Sequence, residues 1–142
     1  MKRVLLSLAC AALAAARLHA ASNDEVEARR VALDVAGAFT NDGFKLRDGN
    51  WTGSVAPGKG QIIQVNLYAG NQYWFTLGAT PAAKKVLVTI YDETGKPVES
   101  DPYQEVSVAA AGFSPQVSGS YFVKVEEPEG KPAAFCLVYS YK

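Results

Sequence analysis

The stretch QIIQVNLY, residues 61–68, decides the fold prediction. Its apolar side chains recur at every second position, at Ile63, Val65 and Leu67, with polar residues between them. Because successive side chains of a β-strand point to opposite faces, this period of two predicts a strand with one buried face. The tripeptide at residues 69–71, Ala-Gly-Asn, predicts the turn that ends it.

Short strand patterns separated by turn residues continue to the end of the sequence. Many short strands at this spacing are typical of a sandwich or barrel rather than a parallel α/β sheet. We therefore predict a mainly β protein, an antiparallel jelly-roll-like β-sandwich domain over residues 44–142. The other strands are predicted at residues 44–55 (interrupted at 48–50), 72–77, 85–91, 104–109, 121–125 and 133–141, with a turn at 126–132.

One amphipathic helix is predicted ahead of the strands, within residues 21–43. Ser22 and Glu25 have the spacing of a capping box, and Asn-Asp-Gly at residues 41–43 predicts the helix end. We expect one face to pack on the sandwich. Insertion at a membrane surface is the alternative, but a face of mostly Ala and Val with an acidic first turn fits it poorly. The apolar face consists of Ala28, Ala32, Val35, Ala36 and Phe39.

Residues 1–20 have the layout of a cleaved secretory signal peptide. Two basic residues at positions 2–3 precede an uncharged run at 4–16, and the segment ends at the small residues Ala20 and Ala21. The run is too short for a bilayer-spanning helix, which needs roughly 20 residues. We expect cleavage after Ala20, with an earlier cut after Ala16 as the alternative. The pattern predicts a periplasmic or secreted protein with no membrane span in its mature form.

Cleavage after Ala20 limits the chemistry that remains. Removing three of the 14 basic residues leaves 11 against 14 acidic ones, a net charge of −3, which argues against nucleic acid as a partner. The leader also contains His19, the only histidine, and Cys10, one of two cysteines. Without His, triad catalysis and His-containing metal sites are excluded. Cys136, between apolar neighbours, is expected to be a buried small residue. We expect no catalytic residues and no metal site.

Four segments in order resemble the bacterial pre-peptidase C-terminal domain. They are QIIQVNLY at 61–68, YAG at 68–70, VTIYDETG at 88–95 and SGSYFVKV at 118–125. The resemblance covers about residues 50–142. It implies a small jelly-roll β-sandwich that serves secreted peptidases as a non-catalytic accessory in substrate adhesion or maturation, sometimes with calcium. No peptidase domain accompanies it in this sequence, and no binding residue is carried over from the family.

Four aromatic residues are the candidate ligand-binding side chains. Each is predicted on the strand face opposite the core, where together they can form a platform for a polysaccharide or a partner protein. The predicted helix can instead cover them, and we favour coverage because large exposed apolar patches are rare on monomers. The four are Tyr68, Trp74, Tyr91 and Phe122, with Trp51 and Tyr103 near turns as secondary candidates.

Calcium is the one cofactor that the acidic residues bring into consideration. Asp92 and Glu93 lie in a Gly-containing turn, and Glu99 and Asp101 follow it. Their spacing does not have the regular order of oxygen ligands found in calcium loops. We therefore expect solvated carboxylates and no bound cofactor.

The expected function is a non-catalytic exported binding module for a polysaccharide or an envelope or secreted protein. The alternative is a structural or assembly subunit of a bacterial envelope complex, docking through a strand edge or the helix. A hydrolase that uses carboxylates alone is the third hypothesis and has the least support, because the sequence does not place two acids across one cleft.

Overall fold

The computed structural model of the protein describes residues 23–142. The predicted signal peptide and Ser22 of the predicted capping box lie outside these residues. No helix within 23–142 is long and apolar enough to cross a bilayer. The helix α1 covers residues 23–40. The strands are β1 (Lys45–Leu46), β2 (Trp51–Val55), β3 (Gln61–Leu67), β4 (Tyr73–Ala79), β5 (Ala83–Tyr91), β6 (Asp101–Gln104), β7 (Val108–Phe113), β8 (Gly119–Gly130) and β9 (Ala133–Tyr141).

The strands of the described residues form two antiparallel sheets. The large sheet has the order β1-β9-β4-β7-β6, with β2 also paired to β9, and the small sheet has the order β3-β8-β5. From β2 to β9 the chain passes repeatedly from one sheet to the other, as in a jelly roll. The predicted mainly β fold, with two antiparallel sheets and one N-terminal helix, is confirmed.

The core lies between the two sheets and follows the predicted alternation. Phe75 of β4 and Phe135 of β9 enter it from the large sheet, and Val123 of β8 enters it from the small sheet. Val65 and Leu67 of β3 are buried in the same cluster. Burial of one face of each sheet supplies the main favourable term for folding, at roughly 25 cal/mol per Å² of apolar surface.

Helix α1 forms a third layer on the outer face of the large sheet. Ala28, Ala32 and Ala36 are buried there against Cys136 and Val138 of β9. The four-residue spacing of the alanines puts them on one stripe of the helix. The predicted packing of the helix on the sandwich is therefore what the structure shows.

Gly78 of β4 sets how closely α1 approaches the sheet. A Cβ atom at Gly78 would collide with the amide nitrogen of Ala32 and would lie 2.6 Å from the carbonyl oxygen of Ala28. The helix backbone therefore rests directly on the strand. Only glycine permits such an approach of two backbones.

The single strand predicted at residues 104–109 was wrong. The chain forms a hairpin there, in which β6 and β7 pair antiparallel, with Gln104 opposite Ala109. The amide of Glu105 donates to the carbonyl oxygen of Val108 at 2.9 Å and closes the turn. This turn consists of Glu-Val-Ser and contains no glycine, proline, asparagine or aspartate, so its single serine is a weak turn signal.

The turn predicted at residues 126–132 was wrong in its first part, because β8 continues to Gly130. Pro128 is tolerated because it has no regular ladder partner on either side: the β3–β8 ladder ends at Val125, and the pairing of β8 with β5 shifts register between Glu126 and Glu129. A proline is accepted in a strand where no neighbour needs its missing N–H. The chain turns only after Gly130, which has a positive φ of 127°.

Candidate functional site

The four predicted aromatic residues lie in three different places. Trp74 lies under α1, Tyr91 and Phe122 lie on the outer face of the small sheet, and Tyr68 stands at one edge of the sandwich. They therefore do not form one platform. The expected coverage by the helix applies to Trp74 alone among them.

Trp74 fills the space between the helix and the large sheet. Its ring stacks on Phe39 of α1, with the ring centroids 4.4 Å apart and the planes 7° from parallel. On the other side it lies over Gly112, its partner in β7, where a Cβ would be 2.8 Å from the indole. Trp74 thus holds the C-terminal part of α1 on the sheet.

Tyr91 and Phe122 form a cross-strand pair on the uncovered face of the small sheet. Ile62 lies on the same face and is 65% exposed. These side chains border a depression of about 460 Å³. Lys124 lies beside them and forms an ion pair with Glu126, with 2.8 Å between Lys124 Nζ and Glu126 Oε1. We call this surface, defined by Ile62, Tyr91 and Phe122, the outer-face patch.

A second concave surface, the edge cleft, lies where the edge strands β2 and β3 face each other. Two depressions of about 270 and 290 Å³ share Arg47, Asn66, Tyr68 and Tyr139 and so form one cleft. Each volume is close to the lower end of small-ligand sites, roughly 300 Å³. The full lining is Arg47, Trp51, Gln64, Val65, Asn66, Tyr68, Asn71, Tyr73, Tyr139 and Tyr141.

Tyr139 is the floor of the edge cleft. Its ring stacks on that of Trp51 of β2, with the ring centroids 6.0 Å apart and the planes at 16°. The Phe75 ring of the core has its centroid 5.1 Å from that of Tyr139. Burial raises the pKa of the Tyr139 phenol, and the nearby Arg47 charge acts in the opposite direction. The floor is therefore a fixed, neutral aromatic surface continuous with the core.

Arg47 lies directly on this floor. Its backbone amide donates to the carbonyl oxygen of Tyr139 at 3.0 Å, and its guanidinium carbon is 5.0 Å from the centre of the Tyr139 ring. This distance is within the range of a cation–π contact. The contact places the Arg47 guanidinium in the cleft. The tyrosine ring does not accept a hydrogen bond from its N–H donors in this contact.

Tyr68 forms an exposed wall of the edge cleft, with 62% of its surface accessible. Its backbone amide donates to the hydroxyl of Tyr73 at 2.9 Å, and the side-chain amide of Asn71 donates to the same hydroxyl at 3.1 Å. The amide of Ala69 donates to the hydroxyl of Ser118 at 2.8 Å. The loop is tied to the sandwich on both sides, so the Tyr68 ring is presented from a fixed backbone.

The acidic residues considered for calcium border another depression, of about 470 Å³, which includes Asp92, Glu99 and Asp101. Asp92 uses Oδ1 within its own turn, where it accepts from both the amide and the hydroxyl of Thr94 and from the amide of Lys96. These hydrogen bonds lower the pKa of the Asp92 carboxyl, and the bond from the Thr94 hydroxyl contributes most. Residues 23–142 contain no cluster of three His, Cys, Asp or Glu side chains placed to hold a metal ion.

Glu127 is a buried acid that the sequence did not single out. It is 1% exposed, and neither carboxylate oxygen has a hydrogen-bond partner among the described residues. Burial raises its pKa. Its neighbour Glu126 pairs with Lys124 on the other face of β8. Adjacent strand residues point to opposite faces, so these two carboxylates do not converge on one substrate.

Cys136 has the buried position that its apolar neighbours predicted. It lies beneath α1 and is fully inaccessible. Burial raises the pKa of its thiol to about 11, with Arg29 acting weakly in the opposite direction. A thiol in this state is unreactive because the thiolate is the nucleophile.

Sequence reasoning singled out Tyr68 and, as a secondary candidate, Trp51, but it missed their partners in the edge cleft, Arg47, Asn66, Asn71 and Tyr139. Arg47 precedes β2, whereas Tyr139 belongs to β9, and only the pairing of β9 with the N-terminal strands brings them together. The strand predicted at residues 133–141 includes Tyr139, but a strand pattern gives no sign that this ring borders a cleft.

Comparison with known proteins does not name a family for this chain. No protein-family model matches it, and no match was found among curated proteins. The function is therefore argued from the edge cleft and the outer-face patch.

Proposed function

We propose that this protein is an exported, non-catalytic binding module that holds a polysaccharide in the edge cleft. The observation that carries the proposal is the exposed Tyr68 ring, held on a fixed loop backbone beside a cleft with amide side chains in its walls. Sugars present apolar ring faces, which pack on aromatic rings, and hydroxyls, which bond to amide side chains. The exposed Tyr68 ring offers the first kind of contact, and the amides of Asn66 and Asn71 offer the second.

Preorganisation supports this proposal. The Tyr73 hydroxyl accepts two hydrogen bonds from the Tyr68–Asn71 loop, so the loop does not have to be ordered when a ligand binds. Binding costs less when the contacting groups are already fixed. An open cleft at the edge of a sandwich also leaves both ends of a bound chain free to continue.

A role without catalysis is supported by the lining of the edge cleft. Glycoside hydrolysis uses two carboxyl groups on either side of the scissile bond. Neither half of the cleft is lined by an aspartate or a glutamate. An accessory binding role is also what the resemblance to the pre-peptidase C-terminal domain implies, and the leader pattern of residues 1–20 supports export.

The test is binding of the purified mature protein to a glycan array, followed by calorimetric titration of the strongest ligands. Replacing Tyr68 by Ala should weaken binding about 10-fold or more, since truncating a tyrosine that anchors an interface costs more than about 1 kcal/mol. Tyr103→Ala is the matched control, because Tyr103 is an exposed tyrosine on β6, outside the cleft. No binding to any glycan, or equal losses in both variants, would refute the proposal.

The outer-face patch favours a second candidate, an assembly subunit of an envelope complex. Ile62 is among the most exposed large apolar residues, and it stands beside Tyr91 and Phe122 on a sheet face that α1 does not cover. Ile62→Glu should then abolish retention of a partner from envelope extract. The same variant should leave glycan binding unchanged if the edge cleft is the site.

A further inference from the structure

We infer that the polysaccharide of the edge cleft is acidic, and that Arg47 holds a carboxylate of one of its sugars while the ring of that sugar packs on Tyr68. The inference rests on the proposed function and adds the chemical class of the ligand. Arg47 and Tyr68 border both halves of the cleft. One sugar can therefore reach both side chains.

The guanidinium of Arg47 is available to a ligand. Within residues 23–142 the ion pairs are those of Arg30 with Glu27 and Asp34 and of Lys124 with Glu126, and none of them involves Arg47. Arg47 is exposed, and none of the side-chain hydrogen bonds within residues 23–142 uses the N–H donors of its guanidinium fork. That fork matches a carboxylate through two parallel hydrogen bonds.

The charge of the side chains that line the cleft also suits an anionic ligand. Apart from Arg47, the polar side chains of residues 23–142 that line it are neutral, and none of them is a carboxylate that would repel a uronic acid. Fields of distant surface charges fade within about 10 Å at ordinary salt, which lets the local cation decide.

A carboxylate fits better than a phosphate. One guanidinium balances one negative charge, whereas phosphate carries up to about two charges and is typically held by arginine clusters. Among residues 23–142, Arg47 is the only arginine or lysine that borders the edge cleft. Sugars with a ring carboxylate, the uronic acids, supply this single charge next to an apolar ring face.

The experiment compares oligouronides with their carboxyl-reduced counterparts of the same length and linkage. Galacturonate, mannuronate and glucuronate hexamers are titrated against the mature protein beside neutral, sulfated and phosphorylated oligosaccharides. At least one acidic hexamer should bind about 10-fold more tightly than its reduced form, and the difference should shrink as salt rises. Arg47→Gln should remove the difference, and Arg47→Lys should restore only part of it.

Arg29→Gln is the matched control, because Arg29 is an exposed arginine on α1. It should leave the preference for the acidic hexamer unchanged. Equal affinity for acidic and reduced hexamers, or a preference for sulfated or phosphorylated sugars, would overturn the inference while leaving a glycan-binding function in place. Failure to bind any oligosaccharide would refute the proposed function itself.

Discussion

Glu127 shows most clearly how a fold can override what a residue and its neighbours indicate. It lies in the run Glu-Glu-Pro-Glu-Gly at residues 126–130, which is typical of a solvated turn. Because β8 continues through this run, alternation sends Glu127 inward after Val123 and Val125. A charge in that position is disfavoured, since none of the described side chains compensates it.

Replacing Glu127 by Gln should make the free energy of unfolding fall less steeply as the pH rises. Burial raises the Glu127 pKa in the folded state, so the unfolded chain loses this proton first as the pH rises above 4.5, the ordinary pKa of a glutamate. Stability of the wild type should therefore fall as the pH climbs through the folded pKa. Urea unfolding between pH 4 and pH 8 should show a gap between variant and wild type that widens with pH.

Glu129→Gln is the control for this measurement, because Glu129 is exposed on the same strand. It should follow the wild-type dependence on pH. A constant gap between Glu127→Gln and the wild type would mean that the Glu127 pKa is the same in the folded and the unfolded chain, contrary to the rise that burial causes.

At the scale of single residues, the sequence identified only what depends on local pattern. Tyr68 follows an alternating strand and precedes a turn, and this is enough to predict a ring on the strand face opposite the core. The contact between Arg47 and Tyr139 depends on the antiparallel pairing of Lys45 with Tyr141 across almost the whole chain. No local pattern encodes that register.

At the scale of elements, the contact between α1 and β4 depends on the absence of side-chain volume. Ala28 and Ala32 face Gly78, so the helix rests on the strand backbone rather than on interlocking side chains. Cys136 lies beneath the same stripe of alanines. The contact of α1 with β4 should therefore leave no room for an added side-chain atom at Gly78.

Gly78→Ala should destabilise the protein by about 1–3 kcal/mol, as overpacking of a tight contact does. The displaced helix should also expose Cys136, so its reaction with a thiol reagent near pH 8 should accelerate. Gly37→Ala is the matched control, since nothing lies within 4 Å of a Cβ at that helical position. It should stabilise the helix by about 0.5–1 kcal/mol. A fully stable Gly78→Ala variant with a protected thiol would contradict the described contact of α1 with β4.

Element boundaries were predictable where the hydrophobic period agreed with the turns. The last strand, residues 133–141, was predicted with the bounds of β9, and the helix was predicted up to residue 40. The hairpin of β6 and β7 was missed because Ala109, Ala110 and Ala111 are small on both faces, which hides the alternation. Both faces of β7 are buried there, because Ala109 and Ala111 belong to the core between the sheets and Ala110 is buried on the opposite face.

At the scale of the whole molecule, the three layers decide which surfaces remain for binding. Helix α1 occupies the outer face of the large sheet, and the two sheets bury each other's inner faces. The outer-face patch and the edge cleft are left open by this arrangement. The sequence could predict the layers, because these follow from pattern, but it could not predict which aromatic residues each layer covers.

The position of β9 makes the large sheet dependent on residues 133–141. This strand pairs with β1 and β2 on one side and with β4 on the other. A chain ending at Pro132 should therefore lose cooperative urea unfolding and its β-type circular dichroism. Removing Lys142 alone keeps β9 intact and should preserve both. A folded, cooperative product ending at Pro132 would refute this dependence.

The partners of β9 also have a consequence for the time course of biosynthesis. β1, β2 and β4 leave the ribosome well before the strand that joins them, and a sheet built from such distant segments forms slowly. Until β9 has emerged, the growing polypeptide has no means of completing its larger layer.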